Sequence, residues 1–556
     1  MIRRLIFLLL IVSGLPLMAQ TGQSHQAQVS KYLELFNSAF NELDAYYVDT
    51  LDARKTIEHA LEAMLGSLDP YTEYYAEENT NDFKQLTTGK YAGIGALVQY
   101  RPTLKRCIIA EPYAHTPAAE SGLHAGDVLL AIDGRDYGDC TSQQSAAYSD
   151  SVSASLRGEP GTSFSLSVRR HGHAKPLTFR ITRRTISLPT IEYDTVLCDS
   201  IGYVALSTYN ESTSQDLRQA IVRLKKQGAT RLLLDLRDNP GGLLSQAVKV
   251  VSLFVPRGKE VVRLKGRARK ENVAYYTEDT PLDTTIPLVV LVNEQTASAA
   301  EITSGALQDY DRAVVVGRNT YGKGLVQEPR WLPYHAMMKV TSSKYYIPSG
   351  RCVQAYRYQN GLPVHLSDSA AAEFHTAAGR PVRDSGGIRP DIAIKADTLP
   401  TLVAHLQASD ALIDYCNEFQ QRHKTIAPAH TFRLSADDYA QFRQFLKDHG
   451  FTYNTQSHAA LQNLRRIVEW EGYHDVAADG IDRLDSILSQ NEDYDFVRLE
   501  KSVRRLVEES LVRRYYYQRG AAAYQVMKDN DVAEALKVLA DDKQYRAILQ
   551  PAPADR

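Results

Sequence analysis

Net charge is almost absent from this chain. Its 556 residues carry 64 Lys+Arg against 66 Asp+Glu, so no global field gathers nucleic acid or an acidic membrane. Cysteine is scarce as well: Cys107, Cys140, Cys198, Cys352 and Cys416 show no CxxC spacing, which speaks against a zinc site, and no other metal or cofactor motif stands in its place. An odd number leaves at least one thiol unpaired, while Cys107 and Cys140 share one short segment and are open to bridging. Apolar runs long enough to span a bilayer are also missing. The longest, in "MIRRLIFLLLIVSGLPLMAQ", holds from Leu5 to Val12 and loosely to Leu17, short of the roughly 20 residues a span needs. Two arginines before it and small Ala19 after it are the layout of an export signal over residues 1–19, which implies a periplasmic location. Retained, the same stretch would hold the protein at a membrane surface.

What is present reads as a folded chain of several domains. The hydrophobic and charged fractions, 44% and 23%, are those of a globular protein, and the length exceeds what one core accommodates. Residues 20–88 include "QVSKYLELFNSAFNELDAYYVDTLDARKTIEHALEAMLGSLDP", whose apolar spacing predicts two amphipathic helices, broken near "VDTLD" and stopped by Gly66 and Pro70. Their stripe suits internal packing and pairing with a second copy equally.

Residues 89–172 change character. Short β-branched runs, "YAGIGALVQY", "RCIIAEP", "GDVLLAIDG" and "SFSLSVRRHG", flank "HTPAAESGLHAGD", a short helix ending at Gly122. This order resembles a PDZ domain, with Gly93, Ile94 and Gly95 in the place of its carboxylate-binding loop. Small residues there let successive backbone N–H groups converge on a peptide's terminal carboxylate while the next strand pairs with the peptide.

Over residues 173–396 strands and helices alternate: "IGYVALSTYN", a helix to about 227, "TRLLLDLRDNPGG", a helix from about 243, "PLVVLVNE", a helix from about 298, and "RAVVVG". Short all-apolar strands of this kind indicate a mostly parallel sheet covered on both faces. Residues 397–556 are periodic and helical, and their arginine-rich stretch reads as a solvated helix face.

Gly317 to Lys323 spells GxxxxGK after a strand, but Gly324 stands where a phosphate loop needs a metal-binding Ser or Thr, and "LVQEPRWLP" continues extended rather than as a helix. Acyl transfer is the alternative. A serine needs a base, and His335 is the only histidine between residues 238 and 358; triad members come from anywhere in a chain, and a desolvated lysine also serves. Taken singly, Ser298 suits a helix N-cap, Lys323 a surface lysine, and Gly241 with Gly242 an ordinary turn.

The pieces "SLDPYTEYY", "YAGIGA", "AGDVLLAIDG", "LLLDLRDNPGG", "NEQTASAAEITSGALQD", "GRNTYGKGLVQ", "KYYIPSGRCVQ" and "GGIRPDI", in that order over residues 28–395, resemble the C-terminal processing peptidases, S41-type serine proteases with a PDZ domain. The resemblance implies an α/β multi-domain fold: a protease core of the crotonase/ClpP-like type, a β-rich PDZ domain, and helical N- and C-terminal regions. It implies Ser298 as nucleophile, Lys323 as base and Gln327 as the lysine's orienting partner. The oxyanion hole falls to N–H groups of Ala299 and of the Gly241–Gly242 turn, and Arg157 is a regulatory contact between domains. Substrates are then proteins or peptides with apolar C-terminal tails, cut without a cofactor, and copies can associate through their terminal helices. The competing expectation is a binding scaffold with a vestigial core.

Overall fold

The computed structural model describes residues 24–77, 87–367, 371–453, 455–489 and 492–550; the expected export signal, residues 1–19, lies outside them. The chain divides into two compact units, one of residues up to Tyr74 with Gln359–Leu362, the other of all the rest. The first unit holds the two expected helices, His25–Tyr46 and Ala53–Gly66. Each has a side-chain cap: Ser24 accepts the N–H of Ala27 at 3.3 Å, and Asp52 that of Lys55 at 3.1 Å, satisfying donors the first turn leaves unpaired.

The second unit is built on a six-stranded sheet in the order Ile191–Leu197, Ile201–Leu206, Arg231–Asp235, Leu288–Val292, Val314–Gly317, Ile392–Ala393. The first pair is antiparallel and the others are parallel. The strands are apolar at successive positions because both faces are covered. Leu232, Leu234, Leu288, Val290 and Val315 face the helices Thr213–Lys226, Leu244–Ser252 and Ala299–Asp309. The intervening Leu233, Val289, Leu291, Val314 and Val316 face Val532, Ala535, Val538 and Leu539 of the helix Asn530–Ala540. A second, antiparallel sheet carries Glu260–Gly266, Ala274–Tyr276 and the hairpin Leu325–Trp331 with Met337–Tyr346.

A small β-rich domain packs Ala96–Arg101, Arg106–Pro112, Val128–Ile132, Ser163–Arg169 and Leu177–Thr182 into one sheet around Ile109, Leu129, Phe164, Leu166 and Val168. Its last strand lies beyond residue 172, where the change of sequence character ends. A helix not anticipated from the sequence, Ser145–Leu156, lies against the Ala96–Arg101 strand. All five cysteines are free thiols, Cys107 and Cys140 buried among them. The expected helices, from Thr401–Ala408 to Glu500–Val526, supply a core around Tyr415, Phe419, Phe442, Val507 and Leu511. No helix of the described residues is long and apolar enough to cross a membrane.

Candidate active site

The strand Leu288–Val292 delivers the chain to a turn pinned by hydrogen bonds to the neighbouring segments. The Thr296 hydroxyl accepts the Asn293 N–H at 2.9 Å and donates to the Leu236 carbonyl at 2.8 Å, and the Ala297 N–H reaches the Asn239 carbonyl at 2.9 Å. Ser298 follows with φ 56° and ψ −115°. An ordinary N-cap residue sits in the β region, so capping does not account for this backbone. A non-glycine residue held at positive φ costs about 1–3 kcal/mol and persists where the surroundings over-determine it, as at strained strand-to-helix turns that present a nucleophile.

Glu301 supplies the over-determination. Fully buried, its carboxylate accepts the N–H of Ser298 at 2.9 Å, of Gly322 at 2.7 Å and of Lys323 at 2.8 Å, together with the Thr320 hydroxyl. Burial pushes its pKa up, and these donors work in the opposite direction. One side chain thus ties the turn of Ser298 to the loop of Lys323. Glu301 carries no role in the sequence reading above, although the Ser-x-x-Glu spacing of Ser298 to Glu301 is the signature of a reciprocal helix cap.

Lys323 is half-buried between two glycines whose reason is close approach. A Cβ on Gly322 would stand 2.3 Å from the Ala355 Cβ, and one on Gly324 would stand 2.8 Å from the Gln354 nitrogen. Gln327 lies two residues into the strand Leu325–Trp331, its amide nitrogen donating to the Thr341 hydroxyl of the paired strand at 3.1 Å.

The turn after Arg231–Asp235 brings Gly241 and Gly242 onto the same site, with φ 94° and 140°. A Cβ on Gly241 would lie 2.7 Å from the Ala297 carbonyl oxygen and 2.8 Å from the Ala299 nitrogen, so only glycine lets the two turns touch. The sequence allows either glycine as an anion-binding donor, but the structure separates them. The Gly241 N–H donates to Asn239 Oδ1 at 2.9 Å, whereas the N–H groups of Gly242 and of Ala299, the first residue of its helix, have no protein acceptor among the described residues. They are oriented donors beside Ser298.

In the small domain, Gly93, Ile94 and Gly95 line a 210 Å³ groove together with Ala96, Leu97 and Val98 of the following strand and Ser153 and Leu156 of the helix Ser145–Leu156. Arg157, at the C-terminal end of the helix Ser145–Leu156, lines it too. Ile94 itself is buried, its side chain turned into the domain core.

Glu301 thus joins a serine at positive φ to the loop of Lys323, beside two N–H groups without a protein acceptor among the described residues. The model of peptidase family S41 matches residues 200–363, and that of a probable PDZ-protease C-terminal helical domain matches residues 402–539. Over 362 residues the chain is 34% identical to the carboxy-terminal-processing protease of Bartonella bacilliformis, covering 64% of this chain and 81% of that one. It is 36% identical over 309 residues to the carboxyl-terminal-processing protease of a Synechocystis species, covering 55% and 70%. Among solved structures, a photosystem II D1 C-terminal processing protease aligns over 68% of this chain and 97% of that chain, at 27% identity and a TM-score of 0.35. The chain belongs to peptidase family S41, among the carboxy-terminal-processing serine proteases.

Proposed function

We propose that this peptidase uses Ser298 and Lys323 as a catalytic dyad, with Gln327 orienting the amine. The small β-rich domain, read as a PDZ domain, takes the apolar C-terminal tail of an exported or unfolded protein in the groove beside Gly93–Gly95. The observation that carries the reading is the Glu301 carboxylate, which accepts backbone N–H groups of both Ser298 and Lys323. The Ser298 hydroxyl attacks the scissile carbonyl as the neutral Lys323 amine takes its proton, and the Gly242 and Ala299 N–H groups receive the oxyanion. Each such donor is worth about 10²–10³ in kcat. Collapse breaks the C–N bond, Lys323 returns its proton to the departing amine, and water resolves the acyl-enzyme. Because the base works only as a neutral amine, cleavage falls on acidification.

The basic, apolar and small-residue pattern of residues 1–19 supports action in the periplasm. Arg157, in the tail groove, is the candidate that relays occupancy to the core. Replacing Ser298 or Lys323 by Ala is expected to lower cleavage of an unfolded test protein by about 10³-fold or more with folding intact, and the parent alone should show an acyl adduct on Ser298 by mass spectrometry. Undiminished proteolysis by either variant overturns the dyad.

A further inference from the structure

The first turn of the helix Asn530–Ala540 meets the loops that carry the site. The strands Arg231–Asp235, Leu288–Val292 and Val314–Gly317 are neighbours in parallel order, so the chain leaves all three at the same edge of the sheet. Each exit carries a charged residue. Arg237 leads into Gly242, Glu294 into Ser298 and Arg318 into Lys323. Asp529 caps the helix, accepting the N–H of Asp531 at 2.8 Å and of Val532 at 3.1 Å, and so fixes the turn from which Asp531 projects. The buried Asp531 uses one oxygen, Oδ2, for both arginines: Arg318 Nη1 donates to it at 2.9 Å and Arg237 Nη1 at 3.2 Å. Arg237 has further partners in Asp235, which accepts its Nη2 at 2.6 Å, and Asp529, which accepts its Nη1 at 2.9 Å. Arg318 also donates from Nε to Glu294 at 3.1 Å, but that carboxylate is 52% exposed.

We propose that Asp531 is a positioning residue for the cleavage reaction: its charge holds Arg318, and with it the segment that ends at Lys323, against the turn that leads to Gly242. The last helices then take part in catalysis as well as in stability. The inference rests on reading Ser298 and Lys323 as the dyad and Gly242 as an oxyanion donor. Glu301 holds the far end of the same segment through the Lys323 N–H, and Asp531 holds the near end. The Arg237, Arg318 and Asp531 side chains are 15%, 19% and 11% exposed, so water and salt screen their attraction weakly. Without the carboxylate, two guanidinium groups are left facing each other, and removing one member of such a buried set leaves uncompensated charge. Arg237 stays on Asp235 and Asp529. Arg318 follows Glu294 outward and draws the Lys323 segment away from Ser298. The tail groove is untouched, so the loss falls on kcat rather than KM.

The test uses the full chain with Asp531→Asn, with Arg318→Gln, with both together, and with Lys323→Ala. Peptide cleavage is followed at steady state, and kcat is normalised to the serine titrated by a fluorophosphonate, so that unfolded molecules are not counted. Asp531→Asn should lower kcat about tenfold and leave KM within about twofold. Arg318→Gln should do at least as much. Adding Asp531→Asn to it should cost less than about threefold more, because both act through one contact. If Asp531→Asn leaves no titratable serine, Arg318→Gln decides by the same kcat and KM. A parental kcat in the deciding variant, or two losses that multiply, overturns the positioning role alone, provided Lys323→Ala is inactive. If Lys323→Ala still cleaves, the dyad reading falls, and the inference with it.

Discussion

The Glu301 carboxylate and the Lys323 backbone meet at 2.8 Å, and the same oxygen, Oε2, accepts the Ser298 N–H at 2.9 Å. A carboxamide of the same shape has one acceptor oxygen and a donor group where the other acceptor stood, and it faces three N–H groups. Glu301→Gln is therefore expected to part the two loops. A misplacement of about 1 Å costs on the order of 10² in rate, so kcat should fall about 100-fold with KM nearly unchanged. Steady-state kinetics on a peptide substrate checks this, and an unaltered kcat would show that the carboxylate positions nothing.

The C-terminal segment stabilises the protease core as well as forming a helical region. Val532, Ala535, Val538 and Leu539 lie 0–2% exposed against the sheet strands, and Tyr545 donates its hydroxyl to the Leu288 carbonyl at 3.3 Å. Leu539→Ala should cost about 2–5 kcal/mol of stability, the range for a buried leucine that leaves a cavity. The urea midpoint should shift together with loss of proteolysis. A change below about 0.5 kcal/mol, typical of surface sites, would mean this helix does not seal the sheet.

Asp283 gives the fold an acid-sensitive element. Burial raises its pKa, but the Lys225 amine at 2.6 Å, the Thr285 and Ile286 N–H groups at 2.8 Å and the Thr285 hydroxyl outweigh it and hold the carboxyl well below its usual range. A depressed folded-state pKa contributes stability that is present above the unfolded value of about 3.9 and is lost as pH falls through the folded value. Asp283→Asn should thus be less stable than the parent at pH 7, with the gap narrowing toward pH 2. Urea midpoints measured across that range decide it; a gap that stayed constant would assign the effect to packing.

Which parts of this were legible beforehand follows from how local each signal is. Strands such as Leu288–Val292, uniformly apolar, and Arg231–Asp235, apolar between its two charged ends, were readable as members of a parallel sheet. The helix Ser145–Leu156 was not: it is largely serine and alanine, only Val152 and Leu156 are buried, and no apolar stripe marks it, yet its Ser153 and Leu156 line the groove beside Gly93–Gly95. The Gly241–Gly242 pair was recognisable as a site element. Which of the two keeps a usable N–H depends on Asn239, whose side chain reaches Gly241 only once the turn has formed. Asp309 and Arg351, an ion pair with each side chain 1% exposed, lie 42 residues apart in sequence and joined no motif.

By itself the sequence determined the chemistry available and its order along the chain: a serine ahead of a helix, a lysine between glycines after an apolar strand, a small-residue loop opening a β-rich segment. Tertiary structure decided which of these groups meet and which are already committed. It folded Glu301 under both loops, assigned the Gly241 N–H to Asn239, and placed the last helices on the sheet. The physical reason is that periodicity and turn chemistry are written in neighbouring residues, whereas a hydrogen bond between distant positions exists only after the intervening chain has folded to bring donor and acceptor within about 3 Å.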